Sequence, residues 1–169
     1  MVRLRKKYKV RKTLLIVGEG DSEEAFLKHL RELYCSEGAG VAATVRNAHG
    51  KGPEHVINHA ARLARIYSYD IVVALLDTDI VWTDKLKKEA RKAKIEMVGS
   101  SPCLEGLLLS ILGERPAEQS VECKKSIQQL LGTDLTERQS YARHYPKSLL
   151  DSARATIGEL DRLVKFIQG

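Results

Sequence analysis

Two stretches of this chain concentrate carboxylates where chemistry could be done. In one, the unbroken apolar run Ile71–Leu76 ends in Asp77-Thr78-Asp79; in the other, Leu14-Leu15-Ile16-Val17 runs into Gly18-Glu19-Gly20. A continuous apolar run closed by polar residues reads as a strand buried on both faces. Ligands of open α/β sheets lie just beyond the carboxyl ends of such strands. Two neighbouring parallel strands would place Glu19, Asp77 and Asp79 on one edge. Period two puts both aspartates on one side if the strand continues. Carboxylates gathered this way repel one another unless a cation compensates them. Oxygen donors suit a hard ion, Mg²⁺ or Mn²⁺. No zinc site competes, because Cys35, Cys103 and Cys123 lack CxxC spacing.

Further candidates stand beside these acids, each with a structural alternative. Glu23 is either a site acid or a first-turn helix acid favoured by the dipole. Glu105 borders an apolar helix, where it could cap the helix or join a metal shell. Lys51, with His49, lies in the glycine-rich loop Asn47–Pro53; it could neutralise a phosphate or simply be solvated. Cys103 reads as packed against the apolar helix, since no His is spaced to activate it as a nucleophile.

The elements that must position these residues alternate. Strands are expected at 13–18, 41–45, 71–76 and 95–98, and helices at about 21–34, 54–67, 84–94 and 107–112. Pro53 suits the start of the second helix. Two further helices, 120–131 and about 148–168, follow, joined by a polar stretch around Arg138, Tyr141, Arg143 and His144. This order predicts an α/β fold: a mostly parallel sheet of about four strands between helices, with a helical C-terminal extension. The organisation is a basic arm at 1–12, an α/β core at 13–115 and the extension at 116–169, all one domain.

Composition agrees. The chain has 169 residues, 43% hydrophobic and 30% charged, and a net charge of +6, which is ordinary for a soluble domain. Residues 1–12 carry seven of its 28 basic residues (Arg3, Arg5, Lys6, Lys7, Lys9, Arg11 and Lys12) and no acid. Such an arm suits a phosphate backbone or a partner's acidic face, or serves only as a solubilising terminus. The apolar runs are too short for a membrane span and the basic start lacks a signal-peptide pattern, so a cytoplasmic location is expected.

LIVGEG-DSEEAFL followed by a buried strand ending in LLDTD resembles the Toprim domain of topoisomerases, primases and OLD-type nucleases. In that family a Glu after the first strand and an Asp-x-Asp after a later one bind Mg²⁺ for phosphodiester chemistry. The match falls on Glu19, Gly20, Asp77 and Asp79, and Glu23 fits the second acid of the EGxxE form. SSPCLEGLLL, from Ser100 to Leu109, looks like a segment of the Toprim-related RloB-like proteins found beside ATPases in defence loci. Leu104 stands where that segment usually has an aromatic. YARHYPKSLL, with Tyr141 and Lys147, is loosely similar to their C-terminal segment.

The resemblance implies a Toprim-like, Mg²⁺-dependent nuclease in a prokaryotic defence system. Glu19, Asp77 and Asp79 would be metal ligands, with Glu23 and Glu105 beside them in the catalytic set. The basic arm and Lys51 would hold DNA or RNA. The alternative is a non-catalytic or regulated Toprim-like subunit bound to an ATPase partner. A homo-oligomer is compatible with either. Topoisomerase and primase activities are not expected, for want of a gate domain and a zinc module. A haloacid-dehalogenase-like phosphatase is disfavoured because its Asp-x-Asp follows the first strand.

Overall fold

The computed structural model describes residues 11–35 and 40–169. Four strands, β1 (Lys12–Gly18), β2 (Val41–Asn47), β3 (Ile71–Asp77) and β4 (Ile95–Ser100), form one sheet in the order β2-β1-β3-β4. Every pairing is parallel. The chain leaves β1 through α1 (Asp21–Tyr34) to β2, then crosses back through α2 (Gly52–Tyr67) to β3. The strand order therefore reverses between β1 and β3, the switch point at whose carboxyl ends ligands of open α/β sheets bind. The α/β expectation holds.

Period-two alternation divides the core. Leu14 and Ile16 of β1, with Val73 and Leu75 of β3, face one layer; Leu15, Val17, Val72, Ala74 and Leu76 face the other. The first layer is thick. It holds α1, the apolar α4 (Leu104–Ile111), α5 (Ser120–Leu131), α6 (Arg138–His144), α7 (Lys147–Ala153) and α8 (Gly158–Gln168). The second layer is thin, with α2 and α3 (Asp84–Lys92) resting on stripes such as Val56, Ile57 and Ala60, and Leu86 and Ala90. Thr83 caps α3, its hydroxyl accepting the Leu86 amide at 3.1 Å.

The C-terminal extension differs from expectation. The expected single helix over 148–168 is two, α7 and α8, broken at residues 154–157 just before Gly158. Thr156 and Ile157, both β-branched, and then glycine disfavour continuing the helix. The polar connection contains α6, whose Tyr141 is buried with Tyr145 just beyond it. Tyr141 stacks obliquely on Phe26 at 5.7 Å between ring centroids. The apolar helix also starts earlier than expected, at Leu104.

Arg162 of α8 reaches across to the outer strand β4, donating to the Met97 carbonyl at 3.2 Å and pairing with Glu96 at 3.3 Å. Among the described residues, no helix is long and apolar enough to cross a membrane.

Candidate functional site

Asp77, the last residue of β3, lies opposite Ser100 of β4. Its Oδ1 accepts the Ser100 hydroxyl at 3.0 Å and the Leu104 amide, at the start of α4, at 3.2 Å. Trp82 Nε1 donates to its carbonyl at 3.0 Å. The side chain is fixed on one oxygen and half-buried. Burial first, then the Glu23 charge, with smaller pushes from Glu19 and Asp79, raises its pKa to about 7. The Ser100 hydroxyl opposes this only in part. Among the described residues, the charges that act most on Asp77 are all negative, so carboxylates dominate its neighbourhood.

The other acids come from the end of β1 and from the first turns of α1 and α4 in the thick layer. Glu19 follows β1, and Gly50 donates its amide to the Glu19 carbonyl at 2.7 Å. Glu23, in the first turn of α1, accepts the Gly20 amide on Oε2 at 3.0 Å, half of a capping box. Its pKa is raised, chiefly by burial and further by Glu105 and Glu19. Gly18 makes this approach feasible, because a Cβ there would come within 2.7 Å of the Glu23 Cβ. Glu105 is in the first turn of α4, whose N-cap position belongs to Cys103, so Glu105 is not the cap. It borders a polar cleft shared with Lys124 and Thr133.

Asp79 departs from the alternation expected had the strand continued. β3 stops at Asp77, and Asp79 lies in the bend beyond, exposed. Its Oδ2 accepts the Ser120 hydroxyl at 2.6 Å. The Pro102 carbonyl accepts the amides of both Thr78 (3.0 Å) and Asp79 (2.9 Å), locking this bend to the turn after β4. Gly106 permits that turn, since a Cβ there would fall 2.4 Å from the Ser101 carbonyl oxygen. Among the described residues, no three His, Cys, Asp or Glu side chains stand close enough to enclose one ion. At this edge Glu19, Glu23 and Asp79 act on Asp77, and Glu19 and Glu105 act on Glu23, without closing into a complete ligand shell. Mg²⁺ fits such an edge, because it keeps several waters and needs only one or two carboxylates.

Across the edge from the thick-layer acids is the loop before α2. His49, Gly50, Lys51 and Gly52 all have positive φ, between 60° and 82°. For His49 and Lys51 that is a left-handed conformation with a steric cost. Buried Asn47 holds the loop, accepting the His49 amide at 2.7 Å and donating to Asp21 at 2.7 Å and Glu24 at 3.1 Å. Exposed Lys51 thus stands at the carboxyl edge.

The arm is placed differently. Arg3, Arg5, Lys6, Lys7 and Lys9 lie outside the described residues. Arg11 and Lys12 are exposed at the amino end of β1, about 20 Å from Glu19 by strand rise. Lys147 is also remote from the acids, paired with Asp151 at 2.7 Å and over the Tyr34 ring near the end of α1. Tyr141 is structural, donating to the Ser22 carbonyl at 3.1 Å. Buried Cys103 has its thiol pushed up to about 12, mainly by burial, so it is not a nucleophile at neutral pH.

Sequence reasoning missed the residues that orient the acids: Ser100, Trp82, Asn47 and Ser120. Ser100 and Trp82 were legible as polar or aromatic neighbours of the strand ends. Ser120, 41 residues from Asp79, carried no signal. No protein-family model, curated protein or solved structure matches the chain.

Proposed function

We propose that this chain is a Toprim-like, Mg²⁺- or Mn²⁺-dependent nuclease acting on nucleic-acid phosphodiesters in a prokaryotic defence setting. One observation carries the reading. Asp77 is held at the switch point of a parallel sheet, its pKa raised to about 7 by burial and by neighbouring acids, with no Lys or Arg of the described residues among the main influences. Proteins keep such a cost where a bound ion or a proton-transfer task offsets it.

Asp77 and Glu19 would hold the ion, with Asp79 joining when Ser120 releases it. When bound, the ion would polarise a phosphate oxygen and acidify an attacking water. Ser100 and the Leu104 amide keep one Asp77 oxygen occupied and leave the other for the site. Glu23, protonated more readily than an exposed carboxyl, is suited to passing a proton. Lys51 would meet the phosphate from the opposite side. The three free thiols fit a reducing cytoplasm.

The second reading, a non-catalytic or regulated subunit docked on an ATPase, is favoured by the incomplete ligand shell. Purified protein with Mg²⁺ or Mn²⁺ is given plasmid, single-stranded DNA and tRNA, beside Asp77→Ala. Metal-dependent cleavage lost in the variant is expected. Cleavage that survives Asp77→Ala would sink the site assignment. Absence of cleavage together with co-purification of an ATPase would favour the subunit.

A further inference from the structure

A groove lies along the outer strand, between α3 and β4, with its Trp82 end beside Asp77. Its floor is Trp82, Ile95 and Met97, and one wall is the row Lys87, Arg91 and Lys94. Trp82 and Met97 are half-buried, and the three cations are exposed. Lys87 and Arg91 are one helical turn apart, on the flank of α3 facing β4, and Lys94 follows at the turn into the strand. Among the described residues none of the three joins an ion pair, whereas nearby Lys85 pairs with Glu89. Glu96 also borders the groove, with its carboxylate engaged by Arg162.

Trp82 ties the groove to the site. Its Nε1 is bonded to the Asp77 carbonyl, and the absence of a side chain at Gly99 lets its ring lie against β4. An aromatic platform beside a line of unpaired cations binds single strands: bases stack on the ring and phosphates follow the charges. A rigid duplex cannot offer an unstacked base to the ring.

We propose that this groove is the track for single-stranded nucleic acid, with Trp82 as the stacking platform and Lys87, Arg91 and Lys94 as the phosphate contacts. This rests on the reading above that the acidic edge acts on phosphodiesters, and it specifies the substrate as single-stranded. Charge complementarity also admits an acidic peptide, which the test includes as a competing occupant.

Trp82 is the only tryptophan in the chain, so its emission reports the groove directly. The full-length protein in EDTA is titrated with an oligothymidine of about twelve nucleotides, the matching duplex, and a polyglutamate peptide. Oligothymidine should quench Trp82, while duplex and peptide leave it unchanged. Lys87→Ala/Arg91→Ala/Lys94→Ala, with unaltered thermal melting, should weaken oligothymidine binding at least about tenfold. It should also lower the log–log salt slope by about 2, at about 0.7 per phosphate.

Binding without a change in emission, and unaltered in the triple variant, would overturn the groove. Quenching by polyglutamate but not by oligothymidine would overturn it in favour of a protein partner. The cleavage assay is read separately. A triple variant that binds and cleaves like the parent retires the groove and leaves the nuclease reading standing. Quenching by oligothymidine without cleavage does the reverse.

Discussion

The two faces of the sheet are built to different standards. The thick face buries Phe26, Tyr34, Tyr141 and Tyr145, and presents Glu23 and Glu105 at its rim, with Glu23 bonded to the Gly20 amide. Among the described residues, the thin face buries no aromatic to that degree. It carries Lys51 on a left-handed loop at its rim, and exposes Ile66, Tyr67, Ile80 and Val81. Charge follows a related division: Glu23 and Glu105 come from the thick side, Lys51 and the α3 cations from the thin side, and Glu19, Asp77 and Asp79 from the strand ends between them. Carboxylates that repel one another need a rigid holder. Cations that follow a flexible polyanion need reach and accessibility instead.

The largest test of this contrast is packing. Phe26→Ala, in the thick core beside Tyr141, should cost about 3–5 kcal/mol in urea unfolding. Leu86→Ala, on the narrow stripe of α3, should cost about 2 kcal/mol. Equal losses would show that both layers are held alike.

A smaller effect of opposite sign is expected at the acidic rim. Asp77→Asn keeps an acceptor for Ser100 and Leu104 but removes the charge. In EDTA at pH 8 it should stabilise the protein by on the order of 1–2 kcal/mol, after discounting for partial exposure. Because the folded carboxyl titrates near 7 and the unfolded one near 3.8, the penalty is absent below pH 4 and complete above pH 7. Parent and variant should therefore converge on acidification. A variant less stable than the parent at pH 8 would mean that the rim is not under repulsion.

The smallest effect concerns the thin rim. Lys51→Gly relieves a φ of 71° and should raise stability by about 0.5–1 kcal/mol. The same change should weaken oligonucleotide binding a few-fold. Unchanged stability would show the loop backbone to be unstrained.

Much of this arrangement was legible in the sequence, for identifiable reasons. Buried strands such as Ile71–Leu76 announce themselves as apolar runs, and their parallel pairing follows from the helices between them. Glu19 and Asp77 were placed correctly because strand ends are local features. Asp79 lies at the same edge, but its pose was not legible, since it depends on the strand stopping at Asp77 and on Ser120 far along the chain. Helix α6 was unreadable because a seven-residue helix anchored by buried Tyr141 carries too little periodicity. The left-handed run at His49–Gly52 was seen only as a glycine-rich loop, because glycine permits positive φ without requiring it, and His49 and Lys51 do not advertise it.

Arg162 has a consequence for colloidal behaviour. β4 is an outermost strand of the sheet, and an open parallel edge invites a strand from another molecule. The guanidinium on the Met97 carbonyl occupies a hydrogen-bonding position that an added strand would need. One side chain from α8 thereby removes one of the positions through which another molecule's strand would pair with β4, which disfavours edge-to-edge association there.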